Sequence, residues 1–335
     1  MPRESAILHP RAFKATVVWT LGLLFLGSVV HATESSLACP DWPTCFGTMV
    51  PEMTGGVFWE HLHRLVAGGL VLLFALATWL ARREATDRPW IYKACLAGLG
   101  LLVVQSIFGG LTVIYRLPDL VSTSHLTLAL AFLTLATVLA AATDGGGGPI
   151  DDLDADSGRT LRGLAVGSGV LVFVQSVVGG LVRHTDAGMA CPDVPLCLGQ
   201  VVPPLVNTPI TLHFTHRVLA LVATGAVLWM TAWALRSDVP ERLRRWAVAA
   251  AVLVVAQVTL GVLSVTTVLA VAPVSLHTLV AATLISVLAA TATLAGRATS
   301  EGRATSEGRA TSEGRTEEPD GAGAHRGAAP AGMGR

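Results

Sequence analysis

The sequence predicts an all-α, polytopic membrane protein whose eight transmembrane helices form two tandem four-helix bundles related by a parallel repeat. Three observations carry this expectation. Hydrophobic residues make up 52% of the 335 positions and charged residues only 14%, where a soluble domain carries about 25%. Apolar runs of about 20 residues recur, each long enough to cross a hydrocarbon core roughly 30 Å thick. Polar landmarks of the first half also return in the second at a nearly fixed offset. The 23 basic and 23 acidic residues balance, so nothing points to nucleic acid.

The first span, 15–33, follows Arg3, Arg11 and Lys14 and resembles a signal peptide. No small-residue cleavage site follows it, and its downstream sequence reappears behind a later span, so it is read as a retained helix. Spans 58–80, 94–114 and 121–142 complete an N-terminal half, 1–142; spans 161–182, 209–235, 246–267 and 274–296 make a C-terminal half, 161–296. The segments 1–14, 81–93, 143–162, 236–245 and 297–335 hold 19 of the 23 Lys and Arg. The positive-inside rule puts them, and both termini, in the cytoplasm of a cell-membrane protein. The other four, Arg64, Arg116, Arg183 and Arg217, lie near outer helix ends. Residues 143–160 are rich in Gly and Asp and read as a flexible linker. The tail 297–335 repeats GRATSE, has no apolar face to bury, and is expected to be disordered.

The repeat is specific. Cys39-Pro-Asp-Trp-Pro-Thr-Cys45 returns 152 positions later as Cys191-Pro-Asp-Val-Pro-Leu-Cys197. Gln105 and Gln257, and His125 and His277, share that offset, while His63-Arg64 and His216-Arg217 are 153 apart, one loop insertion later. Each half has an even number of spans, so both have the same orientation, unlike the inverted repeats of many transporters.

An ionisable residue inside a membrane must be compensated, which makes it a functional candidate. His63, His125, His216 and His277 fall in the second, fourth, sixth and eighth spans. By helical rise each sits roughly 6–9 Å below the outer boundary. Each half thus offers two imidazoles at similar depth, the arrangement a bis-histidine haem needs. The bland alternative, isolated polar residues bonding neighbouring helices, fits one such histidine better than two pairs in register. Zinc would want more ligands. Arg64 and Arg217 are placed to pair with haem propionates or to snorkel to headgroups. Glu60 precedes His63 by three residues, where His213 precedes His216. That asymmetry suggests a reaction in the N-terminal half and a permanent haem in the C-terminal half; capping of the helix start is the structural alternative.

The cysteine pairs Cys39/Cys45 and Cys191/Cys197 lie in Pro-rich loops on the outer, oxidising side and are expected to form two local disulfides. A zinc site built from all four and a redox role for the first pair are the alternatives. Cys95 reads as buried and inert. Gln105, Gln175 and Gln257 stand in apolar spans ahead of glycines, suited to hydrogen-bonding across close-packed helices or to touching a haem substituent. Trp42 and Val194 stand opposite each other in the repeat, as do His31 and Arg183, without an explanation in the sequence.

The set Glu60-x-x-His63-Arg64, Gly180-Leu-Val-Arg183, the paired Cys-Pro-Asp loops, His125, His216-Arg217 and His277 resembles the haem A synthase family over about residues 15–296. The resemblance implies oxidation of haem O at its C8 methyl to a formyl group by successive hydroxylations. It implies substrate haem on His63 and His125, a resident haem b on His216 and His277, and Glu60 as the catalytic carboxylate. The partners implied are haem O, a haem O synthase, an electron donor such as ferredoxin and membrane lipid; a homo-oligomer is allowed. The rival from another class is a bis-haem membrane cytochrome taking electrons from a quinol, which needs the four histidines but not Glu60.

Overall fold

A computed structural model describes residues 2–144 and 153–316. Its long helices are α1 (Pro2–Ala32), α2 (Gly55–Leu80), α3 (Pro89–Ile114), α4 (Asp119–Thr143), α5 (Ala155–His184), α6 (Thr208–Arg236), α7 (Glu241–Thr266) and α8 (Val271–Thr316). Among the described residues, 8 helices are long and apolar enough to cross a membrane, and the chain is a multi-pass membrane protein. Helices suit this solvent because every backbone group is satisfied within its own segment. Local chemistry sets their ends. Pro89 opens α3 at a position where a missing N–H costs nothing. The Asn207 side chain accepts from the Ile210 amide at the start of α6, at 3.0 Å.

Within each half neighbours form a ring. Helix α1 packs on α2 and α4, and α3 on α2 and α4; α5 packs on α6 and α8, and α7 on α6 and α8. The halves meet through α1, α4, α5 and α8, with α4 and α8 at the centre: 50% and 67% of their most apolar stretches are buried, against 22–33% for the other six. Lipid offers no hydrophobic drive between helices, so this seam depends on close packing and a few polar pairs. The Thr137 hydroxyl donates to Ser286 Oγ at 3.3 Å, and the Ser28 and Thr278 hydroxyls lie 3.1 Å apart. At the end away from the cysteine loops, Asp144 pairs with Lys14 at 2.9 Å and Arg242 at 3.6 Å, while Arg297 donates to the carbonyls of Ala141 and Asp144 at 3.0 Å.

Backbone geometry repeats in the same register as the sequence. Left-handed residues fall at Glu34 and Asp186, Phe46 and Leu198, Arg116 and Val268, and Leu117 and Leu269. Three helix ends differ most from the expected ones, the first being that of α1, which begins at Pro2 rather than at 15. Helix α5 starts at Ala155, inside the anticipated linker, because the Asp154 carboxylate accepts from the Asp156 and Ser157 amides at 2.9 Å and caps it. Residues 145–152 of that linker lie outside the described residues. Helix α8 runs on to Thr316, past the 297 boundary of the anticipated disordered tail. Ala, Arg and Glu there extend an already nucleated helix at little cost. Residues 317–335 lie outside the described residues.

Helix α3 crosses α2 and α4 closely at Gly98, where an added methyl would meet the Phe74 ring at 2.6 Å and Leu135 at 3.2 Å. Phe74 is itself fully buried, edge-on to Phe132 at 5.0 Å. Gly98→Ala is therefore expected to destabilise the bundle by about 1–3 kcal/mol through overpacking. Gly100→Ala, with nothing within 4 Å, should leave the melting temperature in detergent unchanged or slightly raised. Equal melting of the two variants would contradict the tight crossing.

Candidate functional site

Both cysteine loops are folded by the same local chemistry. Cys39 and Cys45 are bonded, as are Cys191 and Cys197, with Cα atoms 4.8 and 4.7 Å apart. Asp41 accepts from the amides of Phe46 at 2.6 Å and Gly47 at 2.9 Å and from the Thr44 hydroxyl. Asp193 accepts from Leu198 at 2.8 Å and Gly199 at 2.7 Å. The Thr44 hydroxyl, then the Gly47 amide, hold the Asp41 carboxyl below its usual range; the Gly199 amide does the same for Asp193. Gly47 and Gly199 take φ of +71° and +74°, which a side chain would disfavour.

An arginine on the following helix gathers each loop. Arg64 Nη1 donates to the carbonyls of Asp41 at 2.8 Å and Thr44 at 2.7 Å, and its Nη2 pairs with Glu60. Arg217 Nη1 donates to Asp193 at 2.8 Å and Leu196 at 2.6 Å, and its Nη2 to Cys191 at 2.6 Å. Both guanidiniums are thus committed to loop carbonyls. The halves part at the next residue. Glu60, 5% exposed, accepts from the Cys39 amide at 2.8 Å. His213 instead donates from Nδ1 to the Ala187 carbonyl at 3.0 Å, with the Cys191 amide 3.4 Å from that nitrogen.

All four intramembrane histidines are seated on helix glycines. A methyl on Gly27 would meet the His63 ring at 3.1 Å, on Gly109 that of His125 at 3.1 Å, on Gly179 that of His216 at 2.8 Å, and on Gly261 that of His277 at 3.1 Å. Each ring therefore lies flush against the neighbouring helix of its own bundle. The bearing helices, α2 and α4 in one half and α6 and α8 in the other, stand diagonally in their rings. The glutamine four residues before three of these glycines touches the same histidine. His125 Nδ1 donates to the Gln105 carbonyl at 3.2 Å and His277 Nδ1 to that of Gln257 at 3.1 Å. Since a carbonyl only accepts, this fixes the proton on Nδ1 and makes Nε2 the acceptor, which here takes the carboxamide N–H of Gln105 at 3.4 Å and of Gln257 at 3.2 Å; an iron would have to displace that contact to use the same lone pair. Gln175 Nε2 donates to the His216 carbonyl at 2.8 Å and lies 2.9 Å from His216 Nδ1. At the matching place beside His63 stands Leu23.

The donor set fits a haem in each half: two imidazoles on diagonal helices, with the buried oxygens of Gln105, Gln175 and Gln257 lacking partners among the described residues. Zinc fits poorly. All four loop cysteines are spent in disulfides, and no group of three or more potential ligands occurs among the described residues. The glycine seats are the functional feature the sequence reading missed, although a glycine four places after each of three glutamines was the available signal. His184 was not singled out, and His31 was noted only as the counterpart of Arg183 in the repeat. Their rings stack 5.3 Å apart at the seam between halves, and His184 Nδ1 lies 3.0 Å from the Thr123 hydroxyl.

Eight spanning helices, with two buried imidazoles on diagonal helices in each half, define the class, a polytopic membrane protein. Residues 52–289 match the COX15-CtaA family model, described as a cytochrome oxidase assembly protein. The chain is 31% identical to the heme A synthase of Symbiobacterium thermophilum over 74% of its length and 82% of that protein's. It is also 31% identical to the heme A synthase of Halalkalibacterium halodurans, over 72% and 81% of the two chains, and 28% identical to that of Lysinibacillus sphaericus, over 84% and 94%. The chain belongs to the haem A synthase family.

Removing either arginine tests what holds the loops. Arg64→Ala is expected to raise amide exchange across 39–48 by about 10-fold or more, as hydrogen bonds to a charged group are lost; Arg217→Ala should do the same across 191–200. Unchanged protection in both would mean that the disulfides and aspartate caps order the loops without the arginines.

Proposed function

We propose that this chain oxidises haem O to haem A, converting the C8 methyl to a formyl group by two hydroxylations and loss of water from the resulting gem-diol. Family membership supports a part in haem A biosynthesis. The observation that carries the finer reading is the break in an otherwise repeated frame. Both halves present an imidazole pair on diagonal helices, yet only the N-terminal one sets a carboxylate, Glu60, one turn from its histidine.

On this reading the N-terminal half, 1–142, takes substrate haem O between His63 and His125. The C-terminal half, 161–296, keeps haem b on His216 and His277. Bound there, haem b supplies a one-electron relay. The residues of the chain do the rest. The histidines fix depth and spacing, the glycine seats exclude water from behind each ring, and the disulfide loops cover the outer edges. Glu60, held by Arg64 and the Cys39 amide, is positioned to take a proton or to stabilise positive charge at the substrate edge. Propionate contacts from Arg64 and Arg217 belong to the same reading. The basic segments favour cytoplasmic termini and outward cysteine loops in the cell membrane, with haem O arriving from a haem O synthase and electrons from a donor such as a ferredoxin.

The test is to express the chain with a haem O synthase and separate the extracted haems by chromatography and mass. Haem A, or its hydroxylated intermediate, is the expected product. Glu60→Gln should lower it by about 100-fold or more while the resident haem stays; an unchanged yield would make Glu60 structural. Haem b alone in two equivalents, despite abundant haem O, would move the function to electron transfer from a quinol.

Two further outcomes follow from the ligand and topology assignments. His216→Ala should lose the resident haem, and a normal low-spin spectrum would overturn that ligand. An impermeant maleimide should label the four loop cysteines from outside the cell only after reduction; labelling confined to inverted vesicles would reverse the orientation.

A further inference from the structure

Axial ligation fixes a haem at its iron but leaves rotation about the iron–nitrogen axis free. An enzyme that oxidises one ring methyl and spares the others needs a contact at the porphyrin edge, whereas a resident electron carrier does not. The two halves differ at the place where such a contact would be built. Gly109 of α3 seats His125, and the next residue, Gly110, seats the loop residue Trp42: an added methyl there would meet the indole at Cδ2 at 2.9 Å, Cε3 at 3.0 Å and Cε2 at 3.2 Å. In the other half Gly261 seats His277 in the same way, but the next residue is Val262 and the loop position is Val194. The histidine seat is kept while both partners of the adjacent contact change together. A large side chain on none becomes two of middle size, the exchange that keeps a packed volume constant.

Trp42 is also rigidly related to Glu60. Arg64 donates to the carbonyls of Asp41 and Thr44, which flank Trp42, at 2.8 and 2.7 Å, and pairs with Glu60 through its other terminal nitrogen. The Cys39 amide, in the same disulfide loop, donates to Glu60 at 2.8 Å. The backbone on either side of Trp42 and the Glu60 carboxylate are thus held by one guanidinium.

We propose that Trp42, seated on Gly110 beside the His125 seat, is a positioning residue that sets the in-plane orientation of the substrate porphyrin, presenting a single methyl toward Glu60. This rests on the N-terminal half being the haem O site. Val194 and Val262, both exposed, stand at the equivalent positions in the C-terminal half without that reach, which suffices for a haem that is never modified.

The experiment compares wild type, Trp42→Val, Gly110→Val, the double variant carrying both, and Trp42→Phe, each as the full chain expressed with a haem O synthase. Melting temperature, retained haem b, KM for haem O, and the amount and regiochemistry of oxidised haem are measured. Gly110→Val should lower stability by unseating the indole, and the double variant, which copies the other half, should recover it. Haem A from the double variant should nevertheless stay at least 10-fold down, with a raised KM or oxidation at other methyls, while Trp42→Phe keeps partial activity. A double variant that recovers haem A output and regiochemistry along with stability would show that Trp42 only packs. Wild type yielding no haem A would remove the functional reading itself, and this inference with it.

Discussion

The structure depends on how an imidazole is kept inside a membrane. Removing a polar ring from water costs free energy that only a partner or a ligand offsets, and here the same device is used four times. The ring lies against a helix that has lost its side chain at one point, Gly27, Gly109, Gly179 or Gly261. Where a glutamine sits one turn earlier, its carbonyl or carboxamide meets the ring nitrogens. This fixes the helix pairs that must touch, α1 with α2, α3 with α4, α5 with α6, and α7 with α8, and so closes each bundle. The glycines cost little helix stability because the contacts replace what the missing side chains would have given.

With the histidines so fixed, the loops become the variable part. Disulfide, aspartate cap and arginine are shared by both loops, while four positions around the N-terminal site differ from their counterparts. Glu60 faces His213, Leu23 faces Gln175, and Trp42 with Gly110 faces Val194 with Val262. The Leu23 exchange leaves His63 without the carboxamide that steadies His216. The N-terminal pair thus has one histidine held by packing alone, His63, and one, His125, held by a glutamine as well, whereas both histidines of the C-terminal pair meet a glutamine.

Spans, repeat and the four histidines were legible in the sequence because each rests on a one-dimensional pattern: apolar length, charge asymmetry, and identity at a fixed offset. What lay beyond reach needed rotation about helix axes. Gly109 and Gly110 are neighbours in sequence but point about 100° apart, so one meets His125 and the other Trp42, and no periodicity says which. Arg64 and Arg217 illustrate a second limit. An arginine near a membrane surface has several plausible partners, and only the folded loops reveal that backbone carbonyls use most of its donors. Helix α5 shows a third, since the cap at Asp154 extends order into a segment whose Gly and Asp content reads as linker.

A duplicated frame makes such asymmetry informative. Positions that match across the halves, the glycine seats, the aspartate caps and the arginine clamps, are those that seating two histidines beneath a closed loop requires in either half. Positions that differ are released from that common demand and report what one half does alone. Differences scattered over the bundle would read as drift. Here Glu60 and Trp42 are joined through Arg64, and Trp42 and His125 rest on adjacent residues of α3. The exchanges at Glu60 and at Trp42 with Gly110 are therefore connected, and on the proposed reading they lie where a substrate haem would meet its carboxylate.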